Sequence, residues 1–340
     1  KTFPGWNWGD YGYSNSYDGR IYTQLASEGV TWEIATKHDI GVDLSLFNDK
    51  FTATVDYFHE QRDGIYMERK YLPSIVGIVR SNPKANVGSV LSQGFDGNFA
   101  YKQKLGKVNL TVRGNITYSK NEILEKDEEN TVYPYQTEAG YRVNQAKGLI
   151  ALGLFEDYDI RNSPQQTAWG KVQPGDIKYK DVNGDGVIND GDKVAIGATT
   201  KPNMIYGFGI SARWKGFDFN VHFQGSGKSS FFIEGSTVFA FKDSQWGNIL
   251  GNLVANRWVD KETAAKLGIP ANENPNASYP RLSYGGNDNN QQKSTFWLRN
   301  GSYLRLKTLE VGYTLPKSIV NKIKFNNIRV FFIGTNLLTL

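Results

Sequence analysis

Twelve residues, Asp181 to Asp192, read DVNGDGVINDGD and place oxygen-bearing groups at the intervals a hard cation needs. Asp181, Asn183 and Asp185 stand at positions 1, 3 and 5, and Gly186 follows at the sharp turn. Val187 offers its carbonyl at position 7, and Asn189 and Asp192 hold positions 9 and 12. Calcium favours this mixture of carboxylate, amide and carbonyl oxygens. Two departures qualify the match. Position 12 is Asp, which closes a calcium loop less readily than the usual bidentate Glu. The flanks, IKYK and KVAIG, look extended rather than helical. The expectation is therefore a structural calcium clip on a surface loop, not a helix–loop–helix sensor. The competing reading is a turn-rich acidic loop, in which Lys178, Lys180 and Lys193 offset carboxylate repulsion.

Other chemistry is harder to assemble. Hydrolysis needs a convergent pair of carboxylates, or a nucleophile beside a base, and no spacing marks either. The three histidines, His38, His59 and His222, are isolated in sequence and lack metal-ligand spacing. His59 and His222 fall in strand-like segments and are expected to face a wet interior. With no cysteine, disulfides and thiolate metal sites are excluded. The aromatic opening (Trp6, Trp8, Tyr11, Tyr13, Tyr17) could stack on sugars, but reads better as a loop packed by its own rings. The apolar run FFIEGSTVFAF, residues 231–241, suits packing on a partner.

The elements that must position these residues are strands. In KVNLTVRGNITYSKN, Val108, Leu110, Val112, Ile116 and Tyr118 alternate with Asn109, Thr111, Arg113, Asn115, Thr117 and Ser119. That period of two gives one apolar face and one polar face. KFTATVDYFHE repeats it. MIYGFGISARWKGFDFNVHFQG reads as two strands joined at Lys215-Gly216, and TLEVGYTLP and IRVFFIGTNLLTL as two more. Short turns fall near Asn48-Asp49, Leu105-Gly106 and Lys215-Gly216. Long polar connections, expected to be irregular, run from about Ile123 to Asn203 and from about Gly225 to Trp297. One short helix is expected in SQWGNILGNLVANRWVDKETAAKLGIP, from Ile249, Leu250, Leu253, Val254 and Trp258, with Gly268 and Pro270 as the stop.

Composition narrows the class. Hydrophobic residues make up 39% and aromatics 14%, too rich for disorder. The net charge of +5 is scattered, so a nucleic-acid surface is not indicated. No run of 18 apolar residues suits a membrane helix, which leaves membrane-spanning strands open. Short turns on one side and long loops on the other mark a transmembrane barrel. Aromatics at strand ends (Tyr118, Trp214, Tyr313) suit interface girdles. The fold expected is all-β, an antiparallel transmembrane β-barrel with long extracellular loops and a short loop helix. Arg113, Asn115, Arg213, Asp218 and Asn220 are then candidate lumen-lining residues. A secreted, calcium-stabilised β-protein that binds or hydrolyses carbohydrate is the alternative.

Several stretches together resemble the SusC/RagA-like TonB-dependent outer-membrane transporters of Bacteroidetes-type bacteria. They are VTWEIATKHDIGVDLSLFNDKFTATVDYFHEQRDGIYM (30–67), GDIKYKDVNGDGVINDGDKVAIG (175–197), YGFGISARWKGFDFNVHFQG (206–225), and NPNASYPRLSYGGNDNNQQKSTFWLRNGSYLRLKTLEVGYTLP (274–316) with IRVFFIGTNLLTL after it. The resemblance implies a non-enzymatic importer with a 22-stranded barrel around an N-terminal plug. It implies energy from TonB acting through the plug, a SusD-like surface lipoprotein, and a glycan or peptide cargo. Residues 1–340 then read as a C-terminal portion of that barrel, with the plug and the final strands outside them.

Overall fold

The computed structural model describes residues 27, 29–70, 82–241 and 248–340. The aromatic opening lies outside the described residues. In chain order the strands are β1 (Ile34–Leu46), β2 (Phe51–Glu68), β3 (Lys84–Leu105), β4 (Val108–Glu125), β5 (Gln145–Gly148), β6 (Ala151–Leu154) and β7 (Ile177–Tyr179). They continue with β8 (Val194–Thr199), β9 (Met204–Trp214), β10 (Phe217–Gly227), β11 (Ser230–Phe232), β12 (Leu298–Asn300), β13 (Tyr303–Thr314) and β14 (Arg329–Thr339). Four short helices are α1 (Asp157–Asn162), α2 (Gly251–Asn256), α3 (Lys261–Leu267) and α4 (Lys317–Val320).

Eight long strands form one open antiparallel sheet in the order β1-β2-β3-β4-β9-β10-β13-β14. Sequence neighbours pair wherever the turn is tight. Trp214 faces Phe217 across Lys215 and Gly216, whose φ angles of 45° and 88° fit a two-residue hairpin of the primed type. Leu105 faces Val108, and Leu46 faces Phe51. These turns, with the β13–β14 connection that carries α4, lie at one end of the sheet. The chain leaves the sheet at its other end after Glu68, Glu125 and Gly227. The one-sided pattern expected from the sequence is present.

Register aligns the apolar positions across the whole sheet. One row runs Leu44, Ala53, Phe99, Gly114, Phe208, Phe223, Leu306 and Leu338. Because side chains alternate, one pairing register commits every second residue to the same face. Among the described residues that face has no protein cover. Ile40 is 68% exposed and Phe332 62% exposed. A soluble sandwich would bury such a face against a second sheet. Eleven residues such as Val108–Tyr118 rise about 3.4 Å each. With a strand tilt near 40° they reach roughly 25 Å, the height of a lipid-facing band. Tyr57, Phe95 and Tyr118 share one row near the loop end, and Trp214, Phe217 and Tyr313 share one at the turn end.

The protein-buried core lies in the long connections, which corrects the expectation that they are irregular. Leu149, Leu154, Ile177, Tyr179, Ile188, Trp258 and Trp297 pack together there. Three two-stranded sheets, β5–β8, β6–β7 and β11–β12, frame them. A buried polar network makes this possible, because loop backbone taken out of water must find partners. Asp176 is fully buried. Its Oδ1 accepts from the Asn287 and Asn290 amides at 2.9 Å each, and its Oδ2 accepts from Arg281 Nη2 at 3.1 Å and the Gln173 amide at 2.8 Å. Asn290 Oδ1 accepts from the Ile177 amide at 2.8 Å, and Trp297 Nε1 donates to the Asn290 carbonyl at 2.7 Å. The Tyr179 hydroxyl donates to the Asn289 carbonyl at 2.7 Å, and burial pushes its phenol well up.

The single expected loop helix is two helices. Arg257 and Val259 leave helical geometry to bridge Tyr279 and Asn272, so Trp258 sits between α2 and α3 rather than on a helical stripe. Asp260 then caps α3 by accepting from the Thr263 amide at 2.7 Å, which lowers the Asp260 carboxyl below its ordinary range. Gly268, at φ 64°, ends α3 as expected.

Asp176→Ala would strand the Arg281 guanidinium and the amides of Gln173, Asn287 and buried Asn290. The expected cost is about 3–5 kcal/mol, the range for breaking a buried ion pair from one side. Denaturant unfolding followed by tryptophan fluorescence checks it, since Trp258 and Trp297 lie in the same core.

Candidate functional site

Two groups of residues carry the chemistry singled out in the sequence. The first is the polar face of the sheet. Arg113 and Asn115 on β4, Arg213 on β9, and Asp218 and Asn220 on β10 all point from that face by register. Arg213 stands opposite Asp218, and Asn220 opposite Ser211. Arg113 Nη2 donates to Asn220 Oδ1 at 3.1 Å, and the Ser211 hydroxyl donates to the same oxygen at 2.9 Å. Asn115 faces Gly207 one row away.

Two further members were not singled out. Arg329 on β14 reaches across β13, donating through Nε to Asp218 Oδ1 at 3.1 Å and through Nη2 to Asp218 and Glu310. Gly312 lies under this bridge, and a Cβ there would come within 2.6 Å of Arg329 Nη2 and 2.7 Å of Asp218 Oδ2. Only a residue without a side chain lets β10 and β14 bridge over β13. Alternation in TLEVGYTLP already placed Glu310 opposite Leu309 and Val311. Arg329 opens a strand with poor alternation and gave no such signal.

The histidines are not all where the sequence reading put them. His222 does face the polar side, flat against the β9 backbone at Gly207 and Gly209. His59 does not. It shares a face with Val55 and Tyr57, the apolar side, because an odd-numbered residue of β2 cannot turn inward without a bulge. Nor is it isolated. His38 stands directly opposite on β1, with ring centroids 6.2 Å apart.

The second group is the acidic loop. Its flanks are strands β7 and β8, as the sequence suggested. Asp181 folds across the turn, accepting from the Gly184 amide at 2.7 Å and the Gly186 amide at 2.9 Å. Gly184 and Gly186, at φ 76° and 82°, make that turn possible. Asn183 Nδ2 donates to Asp185 Oδ2 at 2.9 Å, and Asp185 Oδ1 accepts from the Val187 amide at 2.8 Å. Asn189 Oδ1 accepts from the Gly191 amide at 2.6 Å. Asp192 is fully buried, and its two oxygens accept from the Val182 and Asn189 amides at 2.8 and 2.9 Å. Position 12 therefore staples the loop to itself, while positions 1 and 3 are half-buried and position 5 is exposed. Among the described residues, no group of three or more His, Cys, Asp or Glu side chains is arranged to hold a metal ion. The Asn183 amide also donates to the Tyr133 hydroxyl at 3.0 Å, and the Tyr135 hydroxyl to the Gly191 carbonyl at 2.8 Å. Burial pushes the Tyr135 phenol up, with Tyr133 and the loop carboxylates adding to the effect.

Residues 3–223 match the family described as TonB dependent receptor-like, beta-barrel. The TonB-dependent receptor P3 of Formosa agariphila is 26% identical over 340 aligned residues, covering 95% of this chain and 31% of the relative. The TonB-dependent receptor SusC of Bacteroides thetaiotaomicron is 22% identical, covering 89% of this chain and 28% of the relative. The RagAB peptide importer in its open-open state matches the whole chain over 34% of its own, at 20% identity and a TM-score of 0.66. The chain thus spans about a third of the length of the proteins it matches.

Asp192→Ala removes the side chain that ties both ends of the acidic loop to backbone amides. Hydrogen exchange is expected to accelerate at Val182 and Asn189 while the strands stay protected. The local cost is about 1–3 kcal/mol, the range for stranded buried donors.

Proposed function

From the premise that the chain belongs to the TonB-dependent receptor-like β-barrel family, we propose that it forms part of an outer-membrane importer for a large nutrient. Proteins of this family are outer-membrane receptors and transporters rather than enzymes. The observation that carries the reading is the continuous, uncovered apolar face of eight paired strands. Lipid is the solvent that such a face suits. Among the described residues β1 and β14 are the edges of this sheet, and an open edge in hydrocarbon leaves backbone groups unsatisfied. Closure therefore calls for further strands, in keeping with a 22-stranded barrel of which this chain is a C-terminal portion.

In this reading the polar face lines the lumen. Arg113, Asn115, Arg213, Asp218 and Asn220 form its wet wall, with Arg329 and Glu310 fixing the strands behind it. Import is gated translocation: TonB pulls on a plug, and a SusD-like lipoprotein captures cargo at the loop end. Glycan and peptide cargoes both remain within the proposal. Fractionation and uptake test it together. The full-length protein is expected in the outer membrane, soluble only with detergent. It should take up labelled oligosaccharides or oligopeptides in a manner abolished by deleting TonB or the lipoprotein. A protein that is monodisperse without detergent and absent from that membrane would return the secreted β-protein alternative.

The acidic loop enters the same reading as a calcium clip on an extracellular loop. Asp181, Asn183, Asp185, the Val187 carbonyl and Asn189 supply hard oxygens, and Asp192 closes the loop through its amide contacts. Calorimetric titration of the chelator-stripped protein with CaCl2 is expected to show heat that Asp181→Asn removes. No heat from the wild type would leave the hydrogen-bonded turn as the loop's whole role.

A further inference from the structure

We propose that His38 and His59 form a two-histidine site for a late first-row divalent metal, with Cu²⁺ and Zn²⁺ the ions of best fit. The two residues are direct cross-strand partners in β1 and β2. Such partners hold their Cβ atoms about 4.5–5.5 Å apart, so both imidazoles stand side by side on one face. Their centroids are 6.2 Å apart and their planes inclined by 43°. The rings are thus tilted, not stacked, and can turn nitrogens toward a common point.

Distance decides whether one ion can reach both. A metal about 2.1 Å from each ring nitrogen holds the two ring centres roughly 5–6 Å apart. The observed 6.2 Å lies just beyond that span, so a small side-chain rotation brings both nitrogens within reach of one ion. Neutral imidazole nitrogens are the ligands that zinc and copper share, and copper binds such sites most tightly among the divalent ions of the row.

The surroundings favour a ligand over a packing role. Among the described residues neither imidazole has a hydrogen-bond partner, and each ring's aromatic neighbour is the other. The pair sits one row beyond Ile40, Tyr57, Phe95 and Tyr118, where the outward face turns from aromatic to polar. His38 is exposed, so an ion can arrive from water. Gln93 stands beside His59 in the same row, and its Oε1, which accepts from the Tyr57 hydroxyl at 3.3 Å, offers an oxygen beside the site. Water completes the shell. A bound ion would staple the β1–β2 hairpin, the outermost pair of the sheet among the described residues.

The test uses the full-length protein in detergent, stripped with chelator and titrated with CuSO4. Wild type is compared with His38→Asn, His59→Asn and the double variant, each first shown to keep its β-sheet circular dichroism. A saturable copper step is expected in wild type and lost in both single variants. Electron paramagnetic resonance of that step should show coupling to imidazole nitrogen. An unchanged step in the double variant, or a spectrum with oxygen ligands alone, overturns the proposal. Neither result depends on whether the protein imports anything, so failure of the transport reading would be seen separately.

Discussion

In hydrocarbon, a peptide N–H or carbonyl without a partner costs several kcal/mol, and this cost organises the molecule. Pairing all backbone groups strand to strand is one of two ways to pay it. Once the ladder exists, period-two geometry sends alternate side chains to opposite faces, and a single register fixes every row. The apolar rows need no protein cover because lipid supplies it. That is why the sheet exposes Ile40, Val42, Phe208 and Phe332, while its buried protein core lies elsewhere.

The loop end obeys the opposite rule. There the chain is in water and must make its own interior. It does so with few regular hydrogen bonds, so side chains substitute for backbone partners. Asp176, Gln166, Asn289 and Asn290 act as that substitute, each buried and each bonded more than once. Such a network holds only when every member is satisfied, which makes the loop module sensitive to single losses. The acidic loop is anchored to the same core through Ile188, which is buried one residue past Val187. The exposed carboxylates of Asp185 and Asp190 are therefore presented by a fixed frame.

The strands were legible because alternation is local. Val108–Ser119 and Met204–Gln224 declared both faces without any knowledge of partners. The loop core was not legible, because its contacts are remote. Asp176 meets Arg281 across 105 positions, and Asp218 meets Arg329 across 111. The helix prediction failed for a related reason, since Arg257 and Val259 bridge residues beyond the local pattern. The calcium-type spacing was readable residue by residue. The inward turn of Asp192 was not, because it depends on how Val182 and Asn189 present their amides. His59 shares its parity with Tyr57, so alternation alone puts it on the apolar face, against the expectation that a polar side chain seeks the wet side.

The central claim is that lipid, not protein, covers the even-numbered positions of β4. Spin labels measure this directly, and residues 1–340 hold no cysteine, so only cysteines outside them need replacing. Labels introduced singly along Val108–Tyr118 of the full-length protein in bilayers would be scanned for collision with oxygen and with a water-soluble nickel chelate. The account predicts oxygen accessibility peaking at Leu110, Val112 and Ile116, and falling at Thr111, Arg113 and Asn115. Oxygen accessibility without that alternation, or peaking at Arg113, would contradict it.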